Sequence, residues 1–353
     1  MAKLLERDVV GKHEDLSDVL TNLDRRKTSF CSNLSEGPAP QNTLMEWPVD
    51  DYPSVQLGGA PEERDRESFE NFDNRALCQN YIQIWERAPS VGRLAQRVAN
   101  AAGVGKKKLM AKQITKGLVM EKRDIEATFL SNQECARQTA AAGSDGDTFL
   151  TRGFLQWTRT ENPVDGVLPI PNDYLPGEDQ VVTVAEANFS DDHVADVMEA
   201  VWDHTGDAGN FFGLCGTKIK KAISNLTDFI QAGNVTVNVD RDDNRLSRVV
   251  DILDTDFGII ELEMSPFLDV STVPSEADPS VPKEDSQGRK VYKGNKWVLY
   301  VLDLNMWQSS WEQKPHFRPF EDKGAGPRGL IEAIGGLRCL NPLGSARIEV
   351  TPT

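Results

Sequence analysis

The sequence predicts an α+β fold, and three patterns predict it. One long helical period runs through residues 106–131, shorter helical patterns follow near residues 190–202 and 219–230, and strand-like runs gather from Val235 to Leu302 instead of alternating with helices. At 353 residues the chain exceeds what one hydrophobic core usually serves, so two or more subdomains are expected.

Residues 1–45 alternate a short amphipathic piece (Leu16, Val19, Leu20, Leu23) with polar residues and the breaker Gly37-Pro38-Ala39-Pro40. This reads as an extended arm, too poor in apolar side chains to fold alone. Residues 46–90 open and close on aromatic, strand-like pieces around an acidic middle, GGAPEERDRESFENFD, the pattern of a two-stranded projection. Such a hairpin is marginal in water unless another surface covers it.

Leu109, Ile114, Leu118, Ile125 and Phe129 recur at close to 3.6 residues and predict a helix over 106–131, a rod of about 39 Å. Gly117 weakens it by about 1 kcal/mol without forbidding it. Lys108, Lys112 and Lys116 form a basic stripe that suits a solvated face, an acidic neighbour or nucleic acid. After a polar Gly/Pro-rich interval at 143–180, Ser190-Asp191-Asp192-His193 starts a helix whose apolar face is Val194, Val197, Met198, Val201 and Trp202. Asn210–Gly216 reads as a buried strand, and Ile219, Ile223, Leu226 and Ile230 as a helix. Val235, Val237 and Val239, then 249–253, 259–264 and 296–302, read as strands. Residues 271–296, with prolines, serines and charges and almost no apolar content, read as a long surface loop or disordered tip.

Composition and motifs exclude several function classes. Hydrophobic residues make up 39% and charged residues 27%, ordinary for a soluble globular protein. With no apolar run of about 18 residues and no apolar signal core at the N-terminus, neither membrane insertion nor secretion is expected, and the protein should be made and used in a cytosol. The net charge of −16 argues against a sequence-reading DNA binder, which needs basic residues to neutralise phosphates. Cys31, Cys78, Cys135, Cys215 and Cys339 are widely spaced, which predicts buried or half-buried free thiols and neither a zinc site nor a disulfide framework.

Asp256-Phe257-Gly258 matches a kinase tripeptide, but its companion motifs are missing, and a glycine that lets a strand turn tightly is the simpler reading. Gly103-Val104-Gly105-Lys106 and Gly213–Lys218 lack the spacing of a phosphate loop. Asp240, Asp242 and Asn244 begin a calcium-loop pattern that Arg245 breaks. The four histidines form no His-x-x-x-His pair, and no nucleophile elbow occurs. No catalytic residue, cofactor or metal is expected.

One set of ordered blocks carries a resemblance. These are Asp15–Asn22; Thr28-Ser29-Phe30, followed by Cys31 where a proline is usual; Glu46-Trp47 with Asp50; and Asn80-Tyr81-Ile82-Gln83-Ile84. Farther on come Glu121–Ala127 ending at Asn132-Gln133, Asp254-Thr255-Asp256-Phe257-Gly258, Leu302-Asp303 with Trp307, and Arg318-Pro319-Phe320. In this order they resemble a tailed-bacteriophage major capsid protein of the Hong Kong 97-type fold. The resemblance implies an N-terminal arm (1–45), an extended β-loop lying across a neighbouring subunit (46–90) and a peripheral domain with the long spine helix (91–185). It further implies an axial domain (186–310), whose tip loop is 271–296, and return strands to the peripheral domain (311–353). Glu46, Trp47, Asp50, Gln83, Asp256, Phe257 and Gly258 become the candidate structural and assembly residues, with Trp47 anchoring the base of the projection.

The implied function is self-assembly, through hexamers and pentamers, into an icosahedral head around a double-stranded DNA genome. The implied setting is the virion capsid, assembled in the host bacterial cytoplasm. Implied partners are further copies of the chain, scaffolding, portal and decoration proteins, and packaged DNA in non-specific contact; no membrane is implied. An acidic wall suits a container that must not grip its genome. The competing reading from size and composition is a cytosolic α+β enzyme or binding protein with an unrecognised site.

Overall fold

A computed structural model describes residues 28–50, 52, 55, 57, 75–95, 108–139, 146–163, 168–206, 209–226, 251–275, 282–284, 290–324 and 326–352. In chain order the elements begin with α1 (Ser29–Asn33), β1 (Ser35–Glu36), β2 (Leu44–Val49), β3 (Ala76–Tyr81), β4 (Gln83–Arg87) and α2 (Lys108–Phe129). There follow β5 (Ala136–Gln138), β6 (Thr148–Leu150), α3 (Phe154–Trp157), β7 (Val181–Ala185), α4 (Asp192–Thr205), β8 (Asn210–Cys215) and α5 (Thr217–Ile223). The chain closes with β9 (Ile252–Thr255), β10 (Gly258–Met264), β11 (Ser271–Thr272), β12 (Tyr292–Lys293), β13 (Val298–Leu302), β14 (Trp307–Phe320), β15 (Arg328–Cys339) and β16 (Ser345–Thr351).

Among the described residues two compact units emerge, one within 86–121 and 315–332, the other within 28–85, 122–314 and 333–352. In the first, Val91 N–H donates to Pro327 C=O at 3.0 Å and Gly329 N–H to Pro89 C=O at 3.2 Å. There too the Asp322 carboxylate accepts from the Gly324 and Gly326 amides at 2.8 and 3.0 Å. Those two bonds hold the carboxyl below its ordinary range.

The second unit is organised by a six-stranded sheet of order β7-β16-β13-β8-β10-β9. It has apolar layers on both faces, and alternation along its central strands serves both. In β13 Leu299 and Val301 face a core with α4 and α5, while Val298, Tyr300 and Leu302 face a second core containing Phe154, Trp157 and Trp307. In β8 Phe211 and Cys215 point to the first core, Phe212 and Leu214 to the second. Two buried faces require the continuous apolar runs that mark these strands in the sequence. Val194, Val197, Met198 and Val201, spaced i, i+3, i+4 and i+7, seat α4 on the sheet. A four-stranded sheet of order β1-β14-β15-β4 contains the two longest strands.

The predicted long helix is present over 22 residues, about 33 Å. Lys112 and Lys116 are exposed along it, and Ile125 and Phe129 are buried. Other expectations need correction. The polar interval 143–180 contains α3, whose Phe154 and Trp157 are wholly buried. Trp202, placed on the apolar face of its helix, is 40% exposed beside Phe257. Residues 271–296 are not a plain loop: β11 pairs antiparallel with β12, and the Val273 amide donates to Val291 C=O and the Lys283 amide to Val273 C=O. The helix through Ile219 ends at Ile223, before Leu226. Asp15–Asn22, Gly103–Lys106, Ile230, the strand pattern at 235–239 and the pattern Asp240, Asp242, Asn244 lie outside the described residues.

The tripeptide Asp256-Phe257-Gly258 makes the turn from β9 into β10, which pair antiparallel from Thr255 opposite Gly258. Gly258 has φ +144°, and a Cβ there would stand 2.6 Å from the Gly209 carbonyl oxygen. Gly258→Ala should therefore cost about 1–3 kcal/mol of stability. Exposed Asp256→Ala should stay within about 0.5 kcal/mol. Chemical denaturation of the unassembled subunits checks both, and equal stabilities would refute the strain at Gly258.

Candidate functional site

Four of the seven sequence-selected residues lie on or beside the ribbon formed by β2 and β3, with Glu46, Trp47 and Gln83 toward its root and Asp50 at its far end. The strands pair antiparallel from Leu44 opposite Tyr81 to Val49 opposite Ala76. Alternation gives the ribbon an inner face of Met45, Trp47, Val49, Cys78 and Asn80, all buried, and an outer face carrying Glu46, Pro48 and Leu77. A two-stranded ribbon has no interior of its own, so its inner face must be completed by other elements.

Trp47 completes it. Its ring is 3% exposed, Nε1–H donates to the Cys339 carbonyl at 2.9 Å, and the ring lies 5.6 Å from that of Trp157. The guanidinium of Arg338 covers it at 4.9 Å, and that of Arg152 lies 4.7 Å from the Trp157 ring. Beside this stack the wholly buried Asn80 uses its amide fully: Nδ2–H donates to Leu337 C=O at 2.7 Å and Thr151 Oγ1 at 3.0 Å, while Oδ1 accepts from Arg152 N–H at 2.8 Å. Gln83 continues the seam, its Oε1 accepting from Gln133 Nε2 at 2.6 Å and Thr151 N–H at 3.1 Å. Gly336 gives the ribbon room, since a Cβ there would stand 2.5 Å from Met45 Cε.

Glu46 lies on the outer face and accepts from Gln79 Nε2. Asp50 stands 4.0 Å from Arg75 at the other end of the ribbon, where the chain leaves it. Beyond that neck Tyr52, Val55 and Leu57 are 94, 89 and 97% exposed. Asp256, Phe257 and Gly258 are not part of this constellation; they form the edge hairpin of the six-stranded sheet.

Sequence reasoning missed two buried polar devices. Arg152 Nε donates to Glu134 Oε1 at 2.8 Å, and Arg159 Nη1 pairs with the other oxygen of the same carboxylate. Burial, then the neighbouring Arg152, pulls Arg159 below its ordinary pKa. Glu126 of α2 is the second device. Its carboxylate accepts from the Phe30 and Cys31 amides at 2.9 and 2.8 Å, capping α1 from 95 residues away. Phe30 itself is wholly buried and packs edge-on to Trp307. The segment assigned to an extended arm is therefore anchored in the chain's own core at Ser29 and Phe30. Burial raises the Glu126 carboxyl; the two amides oppose the shift, and Glu263 adds to it.

Nothing in the described residues assembles catalysis. Ser190 Oγ lies 2.7 Å from His193 Nδ1, but this is a local contact between residues three apart, made across the N-terminal boundary of α4. The Gly216 amide donates to Val298 C=O at 2.9 Å and the Lys218 amide to Lys296 C=O at 3.0 Å, so Gly213–Lys218 does not offer these donors to a phosphate. Cys31 is half-buried and the other four cysteines are buried, all as free thiols.

A family model described as SU10 major capsid protein matches residues 4–352. No curated protein matches the sequence. Among solved structures, the mature capsid of bacteriophage PhiM1 aligns with a TM-score of 0.56 at 11% identity, covering 99% of this chain and 97% of that one. The capsid of a native GTA particle gives 0.54 at 12% identity with 99% of both chains covered. That of the cyanophage P-SCSP1u gives 0.53 at 11%, covering 96% and 93%. At such identities the likeness speaks for the fold, which is the Hong Kong 97-type capsid fold.

Trp47→Ala should cost about 3–5 kcal/mol of subunit stability, because the ring fills the core. Leu77→Ala on the outer face should cost far less, and denaturant midpoints of the two variants separate the cases.

Because folding lifts Glu126 above its ordinary 4.5, the folded chain holds a proton that the unfolded chain releases. Stability therefore falls as pH rises from about 4.5 through the raised value. Wild type should lose stability relative to Glu126→Gln across that window, measured by denaturant melts at successive pH values. Parallel profiles would show that the carboxyl does not titrate with folding.

Proposed function

Since the chain belongs to the SU10 major capsid protein family, we propose that two of its segments, the residues before Thr28 and the projection of residues 50–75, act between subunits of the shell. The protein is a tailed-phage major capsid protein and forms the head. In our reading the subunits gather as hexamers and pentamers, with the compact parts packing side by side and the segments overlapping neighbours. Many individually weak contacts then make a strong shell through multivalency, while single weak contacts let misplaced subunits leave during assembly.

The observation that carries this reading is the near-total exposure of Val55 and Leu57 on a projection whose root is held by Trp47 and Asn80. Apolar side chains presented at such exposure on a fixed root suit an interface. The arm (1–45), extended loop (46–90), peripheral (91–185), axial (186–310) and return-strand (311–353) divisions fit this scheme, with the arm anchored at Ser29 and Phe30. We further assign scaffolding, portal and decoration proteins as partners and assembly to the host cytoplasm. Exposed Lys112 and Lys116 suit loose, non-specific contact with packaged DNA.

Replacing residues 51–74 by a short Gly-Ser linker should leave a folded subunit, with wild-type circular dichroism, that forms no shells under electron microscopy. Removing residues 1–27 should likewise spare the fold and impair assembly. Complete shells of normal stability from either variant would remove that segment from the mechanism.

A further inference from the structure

Arg338 is a cation without a counter-charge. Its guanidinium lies over Trp47, yet no hydrogen bond or ion pair joins it to any of the described residues, and its Nε is buried without an acceptor. Burial alone holds its pKa below the ordinary value, and no carboxylate offsets that cost. A planar fork with five donors is the side chain best suited to grip a carboxylate in two bonds, so leaving one unanswered in the isolated subunit calls for a partner.

The same residue lines a groove of about 330 Å³, together with Pro38, Pro40, Leu44, Met45 and Glu46. The walls are mixed, apolar at Pro38, Pro40 and Leu44 and polar at Gln41 and Asn42, and the one acid among the lining residues, Glu46, is engaged by Gln79 and makes no ion pair with Arg338. We propose that this groove is the docking site for the acidic part of the projection of a second copy of this chain, residues 62–73, with a carboxylate closing on Arg338 and an adjacent phenylalanine packing against Pro38, Pro40 and Leu44.

The occupant is chosen on charge, chemistry and geometry. Glu62, Glu63, Asp65, Glu67, Glu70 and Asp73 face only Arg64 and Arg66 in that segment, six acids against two bases, and Phe69 and Phe72 are interleaved with the last three acids. The ribbon favours a second copy over the chain's own projection. The groove lies at its Leu44 end, whereas the projection leaves at the Val49–Ala76 end. Six residues of strand, about 20 Å, separate the two. The proposal rests on the reading of the projection as an intersubunit element and adds its receptor.

The test uses a labelled synthetic peptide of residues 61–75 and the full unassembled chain, read by fluorescence anisotropy. Wild type should bind the peptide, and Arg338→Gln should weaken binding about tenfold or more. Arg338→Lys should restore only part of it, because an ammonium lacks the fork, and exposed Arg318→Gln should change nothing. A peptide carrying Glu67→Gln, Glu70→Gln and Asp73→Asn should lose the same factor and become indifferent to Arg338.

Thermal melts of the Arg338 variants separate a lost site from a lost fold; the lysine variant, which keeps a cation for the Trp47 ring, serves if the glutamine variant unfolds. Peptide binding that ignores Arg338 overturns the proposal while leaving the intersubunit projection standing, which the 51–74 replacement tests separately. Binding that appears only when residues 51–74 are removed would mean each chain fills its own groove, and a second copy would be wrong. Displacement of the peptide by a short oligothymidylate at equal concentration would assign the fork to phosphate and also overturn it.

Discussion

The structure depends on one constraint: segments that cannot fold by themselves must be fixed at their roots to a core that can. The β2–β3 ribbon is the clearest case. Two strands offer one apolar face and nothing to cover it, and here Trp47, Cys78 and Asn80 bring that face to the C-terminal end of β15 and the start of α3. The tryptophan supplies area and one directed bond, and the asparagine supplies three. Aromatic burial alone would permit the ribbon to slide. A wholly buried amide with every partner assigned sets its register, because any shift would strand polar groups away from water.

The N-terminal segment obeys the same rule by other means. Helix α1 has five residues, too few to persist alone, and its N-terminal amides have no local side-chain cap. Glu126, on the long helix, provides that cap, and Phe30 plugs the core beside Trp307. A carboxylate in such a site pays for its burial with two amide bonds. The long helix thereby also holds the segment at Phe30 and Cys31.

Charge is placed with similar economy. The protein as a whole is strongly acidic, yet around Trp47 and Trp157 three arginines meet a single carboxylate, that of Glu134. Cation–π contact with indole rings takes up part of the imbalance. Arg338, at the groove end of this stack, is left with a ring on one side and no acid on the other. An acidic chain that keeps a few cations at defined points can repel its copies in general and still attract them in one orientation.

The sequence by itself determined the elements whose periods are complete within a short window. The helix Lys108–Phe129 declares itself in apolar spacing, α4 in Val194, Val197, Met198 and Val201, and the central strands β8 and β13 in unbroken apolar runs. Ordered motifs marked Trp47 and Gln83, whose neighbours in space then proved to be a single seam. Tertiary structure decided the rest. Helix α3 spans four residues in a polar interval, less than two turns, so no period could announce Phe154 and Trp157 as core. Phe30 was assigned to an arm because its partners, Glu126 and Trp307, lie 96 and 277 positions away. Arg152, Glu134 and Arg338 carry no local pattern at all. Their meaning comes from which rings and carbonyls long-range packing brings within a few ångströms, and no window of sequence contains that distance.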